Sequence, residues 1–133
     1  MRYRYDDHIV YQIEQHLVWV TKYRYKVLRG EVAERVRALV RQTCEALEIR
    51  IVHGVVSKDH VHILVSAPPN LAPSEIMRRI KGRTSSDLFE EFPHIKKRYW
   101  GRHFWAWEYL CAQGCSMLLN QFILRSFQIM GWH

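Results

Sequence analysis

The stretch EIRIVHGVVSKDHVHILVS, Glu48 to Ser66, decides the fold. EIRIVHGVV alternates in the manner of a strand, SKDH is a polar turn, and VHILVS is a further β-rich run. Two such runs around a short polar segment make an antiparallel hairpin. His60 and His62 lie just after its turn, one residue apart. On a strand they share a face while Val61 points to the other.

Working outward, HLVWVTK (His16 to Lys22) is rich in β-formers and reads as a strand. The polar, aromatic KYRYKVLRG follows and ends at Gly30. From Glu31 to Leu47 the apolar positions Val32, Val36, Leu39, Val40, Cys44 and Leu47 have helical spacing, with Arg and Glu on the other side. Beyond the hairpin, PPNLAPSEI opens a second helix, with Pro73 in the first turn and Glu75 at the positive end of the helix dipole. A pause is expected at Gly82 before the helix resumes through SSDLFEEF. After Pro93 comes the basic, aromatic HIKKRYWGRHFW, and FWAWEYLCA reads as a fourth strand.

Strand, helix, strand, strand, helix, strand is an α+β order: the ferredoxin-like, RRM-like split βαβ arrangement, an antiparallel sheet with two helices on one face. Its central strands are the first and third, which places His60 and His62 in the middle of the sheet. The chain reads as a single domain, 1–133, with a core over 1–111 and an apolar tail, expected to be helical, over 112–133.

At 133 residues, 48% hydrophobic and 25% charged, the chain can bury a core without disulfides, and disorder is excluded. Its 20 Lys and Arg against 13 acids give +7, which favours an anionic partner, nucleic acid before others. Three cysteines in no framework spacing, and an N-terminus without an apolar signal region, point to a reducing cytoplasm. No segment is long and apolar enough to span a membrane.

Side chains two apart on a strand stand roughly 6 to 7 Å apart, close enough to share one ion. Two imidazoles and an oxygen ligand leave positions open for a phosphate or water. The same spacing also describes two histidines facing solvent, and the residues alone leave both readings open. Asp59 is either an outer-shell carboxylate orienting an imidazole or a turn residue. Three basic stretches, two of them rich in aromatic rings, supply candidate DNA contacts: Lys22, Tyr23 and Arg24; Arg78, Arg79, Lys81 and Arg83; Lys96, Lys97, Arg98 and Trp100. Cations hold phosphates, and exposed rings stack on unpaired bases.

From His16 through Ala106 the chain resembles the single-tyrosine transposases of small insertion sequences, in the HUH endonuclease superfamily. The stretches that carry the resemblance are HLVWVTKYRYKVL, GVVSKDHVHILVSAPP, PSEIMRRIKGRTSS and KRYWGRHFWA. The resemblance implies a homodimer that binds hairpins at transposon ends and cuts single-stranded DNA. A tyrosine would attack the phosphate and form a 5′-phosphotyrosine link, with no nucleotide cofactor. It implies Mg²⁺ or Mn²⁺ held by His60 and His62, and a further polar ligand from a C-terminal helix.

The tail departs from that pattern. CAQGCSMLLNQFILRSFQIMGWH has no tyrosine, and no Asp, Glu or Lys follows Glu108. With Gly114 as the family's turn glycine, the nucleophile position falls near Leu124 and the helix's metal-ligand position near Gln128. Neither Leu124 nor Phe122 or Phe127 can attack a phosphate. The abrupt loss of charge suggests a reading-frame change near Trp107, which translation of the neighbouring frame would test. Three functional classes follow: a strand-cleaving transposase, a relative that grips DNA hairpins without cutting (favoured for this chain), and an RNA-binding domain of the same fold.

Overall fold

The computed structural model describes residues 2–5 and 8–113, with side chains over 12–112. The apolar tail reading, with Leu124 and Gln128, lies outside the described residues. Strands β1 (Arg2–Tyr5) and β2 (His8–Tyr11) pair as an antiparallel hairpin of their own. Then follow β3 (Ile13–Thr21), a 3-10 turn at Lys22–Arg24, α1 (Gly30–Ala46), β4 (Arg50–Val56), β5 (His60–Ala67), α2 (Pro73–Glu91), α3 (Pro93–Arg98) and β6 (Trp105–Gln113). Sheet order is β4-β5-β3-β6, antiparallel throughout, so β3 and β5 are central, as in the ferredoxin-like arrangement.

Alternation along β3 sorts its side chains onto two faces. Leu17 and Trp19 join the main core with Val36, Leu39 and Val40 of α1 and Ile76, Met77 and Ile80 of α2. Trp19 is fully buried and meets Trp105 of β6 edge to face at 6.0 Å between ring centroids. Each large apolar side chain so buried contributes roughly 1.5–3 kcal/mol. Val18 and Val20 form a second cluster with Ala106, Leu110 and Ala112 on the opposite face. His16 shares that face and is 1% exposed, so β3 is covered on both sides.

Four local readings change. Helix α2 runs through Gly82 without a pause: nothing lies within 4 Å of where a Cβ there would sit, so the glycine marks open space rather than a break. Buried Ile76, Met77, Ile80, Thr84 and Leu88 keep one face of α2 in the core on both sides of it. Part of the basic stretch after Pro93 is helical, because the proline starts a new helix and buried Ile95 anchors it. The β1–β2 hairpin had no counterpart in the sequence reading. Finally, His60 belongs to β5 itself rather than to the turn.

Candidate metal clamp and nucleic-acid interface

The register of β5 against β3 pairs His62 with Val18 and His60 with Val20. Both histidines therefore lie on the face away from α1 and α2. The shared face inferred from their spacing is present. Next to them on that face, His16 Nδ1 lies 3.0 Å from His62 Nε2. His62 is 9% exposed, and burial, then the neighbouring His16, His53 and His60 rings, pull its pKa from 6.5 down to about 4. It is a neutral imidazole at neutral pH, the form that can bind a metal.

His60 is set by a different contact. Its Nδ1 lies 3.0 Å from Asp59 Oδ1, while Arg24 Nε donates to Asp59 Oδ2 at 2.9 Å. Burial would raise the Asp59 pKa, but hydrogen bonds from His60 and Arg24 outweigh it and hold the value below the ordinary range. An ionised carboxylate only accepts, so Nδ1 of His60 carries the proton, and in the neutral ring the lone pair then sits on Nε2. Asp59 thus lies in the turn and also contacts the His60 imidazole.

Two imidazoles on one face suit a divalent ion that keeps oxygen ligands from phosphate and water. Among the described residues no three His, Cys, Asp or Glu side chains form a metal-binding group. The donor set fits a shared, open site rather than a closed structural one.

The expected DNA contacts divide into three groups. Tyr23 (71% exposed) and Trp100 (86%) line one cavity of about 300 Å³ with Lys22, Tyr99 and Arg102. The KYRYK and KRYW segments, far apart in sequence, thus meet there. Arg98 stacks its guanidinium 4.1 Å over the Tyr25 ring, and Lys96 and Lys97 lie exposed on α3 beside it. On α2, Arg78 and Arg79 both pair with Glu75, and Arg83 donates to Gln42; these are exposed contacts that a phosphate can displace at little cost.

Arg24 and Lys81 also make contacts within the fold. Arg24 spends its Nε on Asp59. Lys81 donates to the carbonyls of Ala106 and Trp107 at 2.9 Å and of Glu108 at 3.3 Å, pinning α2 to β6. Burial pulls its pKa down to about 8 against the opposing pull of Glu108. His16 was not among the expected site residues. A polar residue at a buried strand position was its only signal.

Tyr109 is the last tyrosine of the given sequence. It pairs with Trp19, so it sits on the helix side of the sheet with Lys81 5.5 Å over its ring. His60 and His62 are on the other side. Within one chain, Tyr109 and the two histidines thus lie on opposite faces of the sheet.

Residues 9–117 match the profile of a family described as "Transposase IS200 like". The chain belongs to that family. This IS200-like chain is 36% identical over 96 residues to the ISDra2 transposase TnpA of Deinococcus radiodurans, covering 72% of itself and 69% of that protein. It is 33% identical over 99 residues to the transposase for insertion sequence element IS200 of Salmonella typhimurium, covering 74% of itself and 65% of that protein. The chain thus spans just under two thirds of the Salmonella relative. A crystal structure from Deinococcus radiodurans R1, also described as of a transposase, superposes with a TM-score of 0.84 at 30% identity and 98% coverage of both chains. A REP-associated tyrosine transposase bound to a REP hairpin shares the fold, with a TM-score of 0.59 at 13% identity, over 98% of this chain and 76% of that one. Family and fold together place the chain with transposases rather than with RNA-binding domains of the same architecture. Among the described residues no helix is long and apolar enough to cross a membrane.

Proposed function

We propose that this IS200-like chain binds single-stranded or hairpin DNA, as a homodimer, and clamps a phosphate through Mg²⁺ or Mn²⁺ held by His60 and His62. The observation that carries this reading is the pair of histidines on one face of β5, with Asp59 leaving the His60 Nε2 lone pair free. Bound there, the ion would polarise a scissile phosphate. The chain's own residues supply the rest: imidazoles that hold, cations that neutralise neighbouring phosphates, and rings that stack on bases. Lys22, Arg78, Arg79, Arg83, Lys96, Lys97 and Arg98, with Tyr23 and Trp100, are the contacts proposed, and Lys81 serves as scaffold. For the dimer, β4 is a sheet edge with Val52 and Val55 more than two-fifths exposed, a surface open to pairing. A cytoplasmic setting accords with the free thiols of Cys44 and Cys111.

A reading in which these residues grip DNA without cutting is supported by two observations: residues 110–133 contain no tyrosine, and Tyr109 lies on the face of the sheet away from the histidines. The test is incubation with a labelled transposon-end hairpin and Mg²⁺ or Mn²⁺. A shifted band without a denaturant-resistant adduct is expected. A covalent adduct would instead establish a strand-cleaving enzyme with another nucleophile, and no shift at all would overturn the DNA reading.

A further inference from the structure

The turn before β5 is tied to a distant segment. Thr21 donates its backbone N–H to the Asp59 carbonyl, and Leu28 donates to the Lys58 carbonyl, both at 2.9 Å. Thr21 Oγ1 donates to the Tyr25 carbonyl at 2.7 Å. Between these ties, Tyr23 and Arg24 adopt φ of 59° and 51°, a left-handed conformation that costs energy for residues with side chains. Such backbone persists only where its surroundings hold it. Here it delivers one result: the Arg24 guanidinium against Asp59, with the Asp59–His60 contact directly beyond. Arg24 and Asp59 are both largely withdrawn from solvent, at 21% and 13% side-chain exposure.

A carboxylate that accepts from one imidazole nitrogen fixes the tautomer, restrains the ring and strengthens the other nitrogen as a donor. That carboxylate must itself be held. An arginine does this with N–H donors fixed in a rigid planar fork, which a lysine's freely rotating ammonium lacks. We propose that Arg24 is a positioning residue for His60: it holds Asp59 in the orientation that keeps His60 as the Nδ1–H tautomer and presents Nε2 to a divalent ion. Control of the tautomer stands on the contacts alone; the consequence for the ion rests on the metal reading above. Arg24 thereby moves from the phosphate-binding cations to the clamp itself.

Two readouts on the full chain separate these parts. With ¹⁵N-labelled histidine at pH 8, long-range proton–nitrogen correlation reports the His60 tautomer in the parent, Arg24→Gln, Arg24→Lys and Asp59→Asn proteins. Titration with Mn²⁺ reports affinity. The expected result is Nδ1–H in the parent and a shift toward Nε2–H in Arg24→Gln and Asp59→Asn, with Arg24→Lys between. Mn²⁺ affinity should fall about 10- to 100-fold in Asp59→Asn and less in Arg24→Gln. A purely structural tie would lower the melting temperature of Arg24→Gln and leave its His60 tautomer unchanged, which would overturn the proposal. So would an Nε2–H tautomer in the parent. A tautomer shift in a protein that takes up no Mn²⁺ would remove the metal reading and leave the Arg24 role standing. Arg24→Lys keeps the charge and Asp59→Asn keeps the shape, so loss of fold in Arg24→Gln alone does not decide the outcome.

Discussion

His16 Nδ1 lies 3.0 Å from His62 Nε2, joining the two central strands on the face away from the helices. The contact commits one nitrogen of a candidate metal ligand to a neighbour on β3. Burial of His62 is the main reason its pKa falls to about 4, with the His16 ring the next cause.

A pH dependence follows from that burial. Unfolding returns the ring to its ordinary 6.5, so between about 6.5 and about 4 the unfolded chain takes up a proton that the folded chain does not. His62 therefore imposes no penalty above that window, and stability drops as the pH falls through it, by up to roughly 3 kcal/mol. Urea unfolding of metal-free parent and His62→Asn between pH 7.5 and 4 checks this. The variant should lose less over the window, and parallel curves would refute the assignment.

The metal assignment is tested by alanine substitution. His60→Ala should weaken Mn²⁺ binding, and the His60/His62 double alanine variant should abolish it. The ligand assignment fails if the double variant binds Mn²⁺ as well as the parent does. Circular dichroism of each variant checks the fold, since His62 is nearly buried.

Lys81 and Arg78 stand one turn apart on α2 and should behave oppositely. Lys81→Met strips three backbone carbonyls of their donor and should cost about 1.5–3 kcal/mol in denaturant unfolding. Arg78→Ala, at an exposed position, should stay within about 0.5 kcal/mol. On DNA the order reverses. Arg78→Ala should lower the slope of log affinity against log salt by about 0.7 for single strands, and Lys81→Met should leave it unchanged.

Trp100 is 86% exposed yet held at φ 57°, so its backbone cost purchases no packing. Trp100→Gly should leave the melting temperature equal to the parent's or slightly higher, because glycine enters that conformation without strain. Affinity for single-stranded DNA should fall by about 1–3 kcal/mol as a stacking surface is lost. Unchanged affinity would exclude Trp100 from the interface.

Much of the architecture was legible in one dimension because periodicity reports which side of an element is buried. The spacing of Val32, Val36, Leu39, Val40 and Cys44 determined α1 and its core face, and the alternation around SKDH determined the hairpin and the common face of His60 and His62. The stretches that matched a transposase family are local as well, and needed no contacts to be read. Tertiary structure alone decided what each polar side chain does. Arg24 lies 35 residues from Asp59 and His16 lies 46 from His62. Lys81 is one of four cations in MRRIKGR, indistinguishable from Arg78 in sequence until β6 arrives beside it. Tyr109 falls on the face away from the histidines only once β6 is registered against β3. The physical reason is the same in each case: apolar burial follows from local pattern, whereas the partner of a charge or an imidazole is whatever the folded chain brings within 3 Å.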